Sequence, residues 1–182
     1  MTTHIAVIVG SLRRDSSNRQ LATAIARLAP ADFTFTHAPI GELPLYNQDD
    51  DASPAASVTQ LKASITAAHG VLFVTPEYNR SIPGVLKNAI DHASRPHGQS
   101  AWAGKPAGVL GVSPGSTATA MAQQHLRNIL ACLDMPTLGQ PEAFIQKKDG
   151  LFDEAGNLGA GSKAFLQGWM DRYVAWVKKH RA

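Results

Sequence analysis

Short apolar runs alternate with stretches of helical periodicity along the chain. Two of these runs, residues 5–9 and 71–74, contain no polar residue, which is typical of strands buried on both faces of a parallel sheet. A weaker alternating run at 33–38 indicates an edge strand, and 107–113 and 143–145 complete the set. The pattern therefore predicts five strands.

Helical periodicity fills the intervals between and after these strands. The predicted helices cover residues 18–28, about 57–68, 83–93, about 117–133 and 162–179, and a long connection rich in turn residues covers 39–54. Strands separated by helices are typical of parallel crossovers. We therefore predict one α/β domain over residues 1–182, with a parallel sheet of strand order 2-1-3-4-5 between two helical layers.

Two strand-to-helix junctions carry most of the candidate chemistry. The segment GSLRRDSSNRQLA follows the first strand, and TPEYNRSIPGVLKNAIDH follows the third. In the predicted order these two strands are neighbours where the strand order reverses, so the two loops meet at one edge of the sheet. That edge is where α/β proteins bind phosphorylated ligands.

The first loop has the composition of a phosphate site. Short hydrogen-bonding side chains surround the start of a helix, whose free amides and dipole favour an anion, and Arg13 adds a fixed charge with a forked donor. The candidates are Ser11, Arg13, Ser16, Ser17 and Asn18. The alternative is that Ser16 or Ser17 only caps the helix while the arginines are solvated.

The fingerprints of other nucleotide-binding loops are missing here. The sequence has neither G-x-G-x-x-G nor G-x-x-x-x-G-K-[ST] at this loop, which favours a mononucleotide over a dinucleotide or a P-loop ligand.

The second loop offers a rigid turn with amide and carbonyl groups for a flat heterocycle, and Tyr78 could shield its face. The candidates there are Pro76, Glu77, Tyr78 and Asn79.

Composition narrows the functional classes. The net charge is +3 with a pI near 9.2, but the basic residues are dispersed, which does not favour a nucleic-acid partner. Cys132 is the single cysteine, expected in the core or an interface, and no apolar run approaches the roughly 20 residues of a membrane helix. The histidines and the run 49–51 form no ligand spacing, so we expect no metal, no membrane contact and a cytoplasmic location.

The paired loops resemble those of the NADPH-dependent FMN reductase family, whose members include chromate, quinone and azo-dye reductases. The resemblance extends to AGKPAGVLGVSPG at the fourth strand and QHLRNIL in the next helix. It implies a flavodoxin-like three-layer sandwich that binds FMN. The first-loop candidates would surround the FMN phosphate and the second-loop candidates the ribityl chain and isoalloxazine. Ser113 and Gly115 would lie near the pyrimidine end of the ring.

The resemblance also implies a reaction. Hydride would pass from NADPH or NADH through FMN to a small oxidised acceptor such as a quinone, flavin, azo compound or chromate, and no acid-base pair would be needed. Backbone amides at 77–79 would donate a hydrogen bond to flavin N5. The loop 113–115 would stabilise negative charge on the reduced ring. Arg80 stands where some members carry tyrosine, and Arg14 and Arg80 are candidates for the nicotinamide cofactor's phosphates.

The resemblance further implies a homodimer or homotetramer in which a neighbouring subunit covers part of the flavin site. The helices at 81–93 and 117–133 are the interface candidates because they are apolar and lie beside that site.

Two alternatives remain open at this point. Residues 111–115 match the G-x-S-x-G elbow of serine hydrolases, with His180 as a possible base, although Pro114 lacks the N–H that an oxyanion hole needs there. The other alternative is an electron carrier of the same fold. Carriers are expected to show an acidic docking face, whereas this chain is mildly basic.

Overall fold

The computed structural model describes residues 2–181, and its strands form one parallel sheet. The strands are β1 (Thr3–Val9), β2 (Phe33–His37), β3 (Gly70–Val74), β4 (Ala107–Ser113) and β5 (Ala143–Gln146). The sheet order is β2-β1-β3-β4-β5 with every pairing parallel. The fold is flavodoxin-like, and the predicted strand order is confirmed.

Five α-helices connect and follow the strands. They are α1 (Ser17–Ala26), α2 (Ala56–Thr66), α3 (Gly84–Ala93), α4 (Ala120–Cys132) and α5 (Ala160–His180), with a short 3-10 helix at Gln48–Asp50. Helix α4 begins three residues after its predicted start at 117. The reason is Ala118, whose φ of 48° lies outside the helical region, so the helix begins only after it. No helix within residues 2–181 is long and apolar enough to cross a membrane.

The sheet separates two apolar layers, and alternate strand residues face opposite sides. In β3, Leu72 and Val74 belong to the core shared with α1 and α5, whereas Val71 and Phe73 belong to the core shared with α2, α3 and α4. This alternation follows from the two-residue period of a strand. Burial on both faces accounts for the all-apolar strand sequences.

Helix α5 closes the first of these layers with two aromatic residues. Trp169 and Tyr173 are fully buried with ring centroids 5.5 Å apart, as the helical periodicity predicts. Gly108 of β4 makes room for them, because a Cβ there would lie 2.6 Å from the Tyr173 ring.

Cys132 was predicted to lie in the core or in an interface; the core position is wrong, and the interface position stays a prediction. The buried side of α4 carries Ala122, Leu126 and Leu130, spaced four residues apart, and Cys132 lies outside that stripe and is exposed.

Gly111 of β4 lies very close to the backbone of Thr75, the residue that follows β3. We therefore expect Gly111→Ala to destabilise the fold strongly. A Cβ there would lie 2.0 Å from the Thr75 carbonyl oxygen, so the backbone must move. Overpacking costs of about 1–3 kcal/mol or more lower the melting temperature. Gly168→Ala in α5 is the control, because its Cβ meets no atom within 4 Å and alanine favours a helix. Equal melting temperatures for Gly111→Ala and the unmodified protein would contradict this account.

Candidate cofactor site

A cavity of about 390 Å³ opens at the carboxyl edge of the sheet, between the loops that follow β1, β3 and β4. Its volume lies in the range of small-molecule sites. Most of the residues selected from the sequence meet there. The candidates that line it are Ser11, Arg13, Ser16, Ser17, Asn18, Pro76, Glu77, Tyr78 and Ser113. Asn79, Arg80 and Gly115 lie in the same loops but do not line the cavity.

The start of α1 supplies hydrogen-bond donors to this cavity. Ser16 is the N-cap residue, and its Oγ accepts a hydrogen bond from the Arg19 N–H at 3.2 Å. The capping role considered as an alternative is therefore real for Ser16. The next two amides, of Ser17 and Asn18, find no acceptor within residues 2–181. Such unpaired N–H groups, together with the helix dipole, favour an anion.

The side chain of Asn18 has a structural partner. Its amide donates to the Val112 carbonyl at 2.9 Å and accepts from the Val112 N–H at 3.0 Å, and the residue is 4% exposed. This reciprocal pair joins α1 to the end of β4. Asn18 can therefore offer the cavity its backbone N–H, while its side chain holds the cavity wall.

Two cationic residues line the cavity, and the sequence analysis identified only one of them. Arg13 belongs to the first loop, and Lys147 follows β5, where its N–H donates to the Ser113 carbonyl at 2.9 Å. Lys147 could have been found by the rule that selected the other loops, because it directly follows a parallel strand. Two cations and free amides fit a phosphomonoester.

The second loop forms a tight turn of defined geometry. The N–H and carbonyl of Tyr78 exchange hydrogen bonds of 3.0 Å with those of Ser81. The two central residues, Asn79 and Arg80, have φ of 52° and 67°, as in a type I′ turn. The Tyr78 side chain is 48% exposed, so its ring face is open. The turn therefore presents an aromatic face on a fixed backbone.

This geometry corrects one sequence-based assignment. The Tyr78 N–H is already donated to Ser81 and is not free for a ligand. The N–H groups of Glu77 and Asn79 have no backbone acceptor within residues 2–181, so of the three amides assigned to the ligand these two remain available.

Glu77 ties the turn to helix α4. One carboxylate oxygen, Oε2, accepts hydrogen bonds of 3.0 Å from both the Met121 and the Ala122 N–H groups, in the first turn of that helix. The side chain is only 8% exposed. A carboxylate at a helix N-terminus is stabilised by the amides and by the dipole. Glu77 therefore fixes the position of the turn, and its charge is compensated there.

Arg80 lies beside the cavity with its guanidinium anchored on one side. Nη1 donates to Thr117 Oγ1 at 3.1 Å and lies 3.5 Å from Glu77 Oε1, while 70% of the side chain is exposed. A left-handed conformation at a residue that is not glycine costs about 1–2 kcal/mol. The loop after β4 thus helps to hold a strained residue.

The geometry does not support a hydrolase. Ser113 lies at the carboxyl end of β4, and no histidine is among the residues that line the cavity. His180 packs on Trp176 at the end of α5, where Lys178 and Arg181 contact Asp32 and Thr3. Thr3 begins β1 and Asp32 precedes β2, so His180 lies at the opposite edge of the sheet.

The arrangement fits FMN at each part of that molecule. The cations and free amides of the first loop suit the 5′-phosphate, and the exposed ring of Tyr78 with the remaining amides of its turn suits a flat heterocycle. The cavity extends from the first loop, which suits the phosphate, to the turn at Tyr78, which suits the heterocycle.

Comparison with known proteins agrees with this fit. The family model of the NADPH-dependent FMN reductases matches residues 3–150. The chain is 52% identical over 182 residues to a 2-hydroxy-1,4-benzoquinone reductase of Burkholderia, covering all of both chains. It is 48% identical to a quinone reductase of Pseudomonas putida, covering 98% of this chain and 96% of that one. The solved structure of FerB, a flavoenzyme NAD(P)H:(acceptor) oxidoreductase from Paracoccus denitrificans, superposes with a TM-score of 0.95 at 44% identity over the full length of both.

We expect Asn18→Ala to lower the free energy of unfolding by about 1–3 kcal/mol, because it leaves the buried N–H and carbonyl of Val112 unpaired. Thermal denaturation measures the change. Gln20→Ala on the exposed side of the same helix is the control and should shift the midpoint little. Midpoints that fall equally in the two variants would show that the buried pair has no special role.

Proposed function

This chain belongs to the NADPH-dependent FMN reductase family, and on that premise we propose that it reduces quinones, with the cavity at the sheet edge as its flavin site. It is an oxidoreductase that uses FMN and NAD(P)H. The observation that supports the site best is the meeting, in one cavity, of the cationic start of α1 and the rigid turn that carries Tyr78.

The overall reaction transfers two electrons, which NAD(P)H loses and the quinone gains. NAD(P)H loses a hydride, and the quinone gains that hydride and one proton from solvent to become a hydroquinone. FMN, when bound, would supply the hydride relay between the two substrates. The protein has to bind the cofactor, keep one face open and stabilise the charge that develops.

The first loop is proposed to hold the phosphate. Arg13 and Lys147 would pair with its negative charge, and the free N–H groups of Ser17 and Asn18 would donate to its oxygens. Ser11 and Ser16 are buried beside them and complete the wall. Because the Ser16 Oγ already accepts from Arg19, its hydroxyl hydrogen is the group left to donate.

The second loop is proposed to orient the ring. Pro76 and Tyr78 would form its apolar and aromatic wall, and the Glu77 and Asn79 N–H groups are the available donors for the ring edge. Ser113 and Gly115, after β4, would lie at the pyrimidine end. The Gly115 N–H is 3.4 Å from Ser113 Oγ, a weak contact that a ligand oxygen can replace.

The quinone acceptor is inferred from the names of the two bacterial relatives at 52% and 48% identity. A quinone is flat, like the nicotinamide that precedes it, so both can stack on one open flavin face. Free flavin, azo compounds and chromate stay predictions, as does the cytoplasmic location.

We also propose that residues 1–182 act as one domain in a homodimer or homotetramer built through α3 and α4. A groove of about 470 Å³ lies there, lined by Ile82, His125 and Ile129 among others. Met121, on the same helix α4, is 41% exposed. Size-exclusion chromatography with light scattering should give at least a dimer at micromolar concentration. A monomer would contradict this part of the proposal.

Arg13→Ala should weaken FMN binding by about tenfold or more, because it removes a charge-assisted hydrogen bond to the phosphate. Titration of the apoprotein with FMN, followed by flavin fluorescence, measures the dissociation constant. Arg27→Ala is the matched control, because Arg27 follows the last residue of α1, at the end of the helix away from the cavity, and its guanidinium donates to Asn157 Oδ1 at 2.6 Å. Equal affinities in the two variants would remove the phosphate assignment.

The purified protein should be yellow, release FMN on denaturation, and consume NADPH continuously when a quinone is added. The quinone accepts the hydride that would otherwise remain on the flavin, so turnover continues until one substrate is exhausted. A flavin that stays oxidised in NADPH without a separate reductase would contradict the reductase and favour a carrier.

A further inference from the structure

Arg80 occupies a position that its residue type makes unfavourable. The two central residues of a type I′ turn both need positive φ, and asparagine followed by glycine satisfies this at least cost. Here Asn79 satisfies the first position, but Arg80, with φ of 67°, stands where glycine is preferred. Strain of this kind persists where the surrounding structure holds it, and it is concentrated at functional sites.

The guanidinium is anchored through one of its nitrogens only. Nη1 contacts Thr117 and Glu77, whereas Nε and Nη2 have no hydrogen-bond partner within residues 2–181. A guanidinium has five N–H donors in a fixed fork, so several remain available. With 70% of the side chain exposed, those donors are accessible to a ligand.

The charge of Arg80 is only weakly compensated. Glu77 is its nearest carboxylate, but Oε2 of Glu77 accepts two N–H groups of α4, and the contact between Oε1 and Arg80 is 3.5 Å. The positive end of the α4 dipole lies on the same side. The surface around Arg80 and Thr117, next to Tyr78 at the cavity, is therefore suited to a negatively charged ligand.

We propose that Arg80 is a specificity-determining residue that binds the ionised oxygen of an acidic quinone. This inference rests on the proposed quinone reductase function; a relative at 52% identity is named for a hydroxyquinone, and the inference adds the residue that would recognise the ionised form of such an acceptor. A hydroxyquinone that has lost its proton carries a full negative charge, and its ionised oxygen lies beside the carbonyl oxygen of the neighbouring ring carbon, so that two N–H groups of a guanidinium fork can donate to this pair of oxygens. Hydride and one proton convert this anion to the hydroquinone monoanion, and a second proton from solvent gives the neutral product; Arg80 would offset the negative charge until both protons have been added.

Binding to the oxidised holoenzyme tests the proposal without turnover. The ligands are 2-hydroxy-1,4-naphthoquinone, which is ionised at neutral pH, and 1,4-naphthoquinone, which is neutral. Dissociation constants come from the change in flavin absorbance. Arg80→Gly should raise the constant for the ionised ligand at least tenfold and that for the neutral ligand less than threefold. Arg80→Lys should lie between, because it keeps the charge without the fork.

Two controls separate binding from folding. Glycine adopts the left-handed conformation without strain, so the melting temperature of Arg80→Gly should not fall by more than a few degrees. Arg172→Ala removes an exposed arginine of α5 and should leave the dissociation constants of both quinones unchanged. Lowering the pH until the hydroxyquinone is protonated should remove the difference between Arg80→Gly and the unmodified protein.

The outcomes distinguish this inference from the proposed function. If Arg80→Gly weakens both quinones equally, or changes only the rate at which NADPH reduces the flavin, the assignment to the acceptor is overturned. The reductase function would then stand, as long as the unmodified protein retains FMN and reduces the neutral quinone. If the unmodified protein does neither, the proposed function itself fails.

Discussion

The reversal of strand order at β1 and β3 is the constraint on which the site depends. Helix α1 packs on one face of the sheet with α5, and α3 packs on the other face with α2 and α4. The chain therefore leaves these adjacent strands in opposite directions, and a cleft opens between the two loops. The contact at its floor is close, because the Gly10 N–H donates to the Val74 carbonyl at 2.9 Å.

Two buried polar side chains keep this cleft in shape. Asn18 joins α1 to β4, and Glu77 joins the turn after β3 to α4, so each loop of the cavity is fastened to an element on its far side. Both residues were selected from the sequence as ligand contacts. Their side chains instead satisfy the backbone groups of other segments, which leaves the backbone amides of the loops for a ligand. The cavity is preorganised by these two side chains, and it offers a ligand free main-chain N–H groups beside the cationic side chains of Arg13 and Lys147.

Much of this fold could be predicted because its signals are local. The all-apolar runs of β1 and β3 define buried strands, and the spacing of Trp169, Tyr173 and Val177 defines the buried side of α5. The start of α4 could not be predicted, since it depends on the conformation of Ala118. The core position considered for Cys132 was wrong because an apolar neighbourhood in sequence does not determine which side of a helix is buried.

The residues that meet at the site could mostly be predicted from the sequence, but the role of each residue could not. The turn chemistry that occupies the Tyr78 N–H, and the anchoring of Arg80 by Thr117, arise from pairings between segments, which a single sequence does not reveal. Lys147 was missed because it follows the shortest strand, whose loop has no phosphate-binding composition.

The most direct test of the account is a crystal structure of the protein with FMN. We expect the 5′-phosphate within hydrogen-bond distance of the Ser17 and Asn18 amides, close to Arg13 and Lys147, and the isoalloxazine against the turn at Tyr78. A flavin bound outside this cavity, or bound in it with its phosphate away from the start of α1, would contradict it.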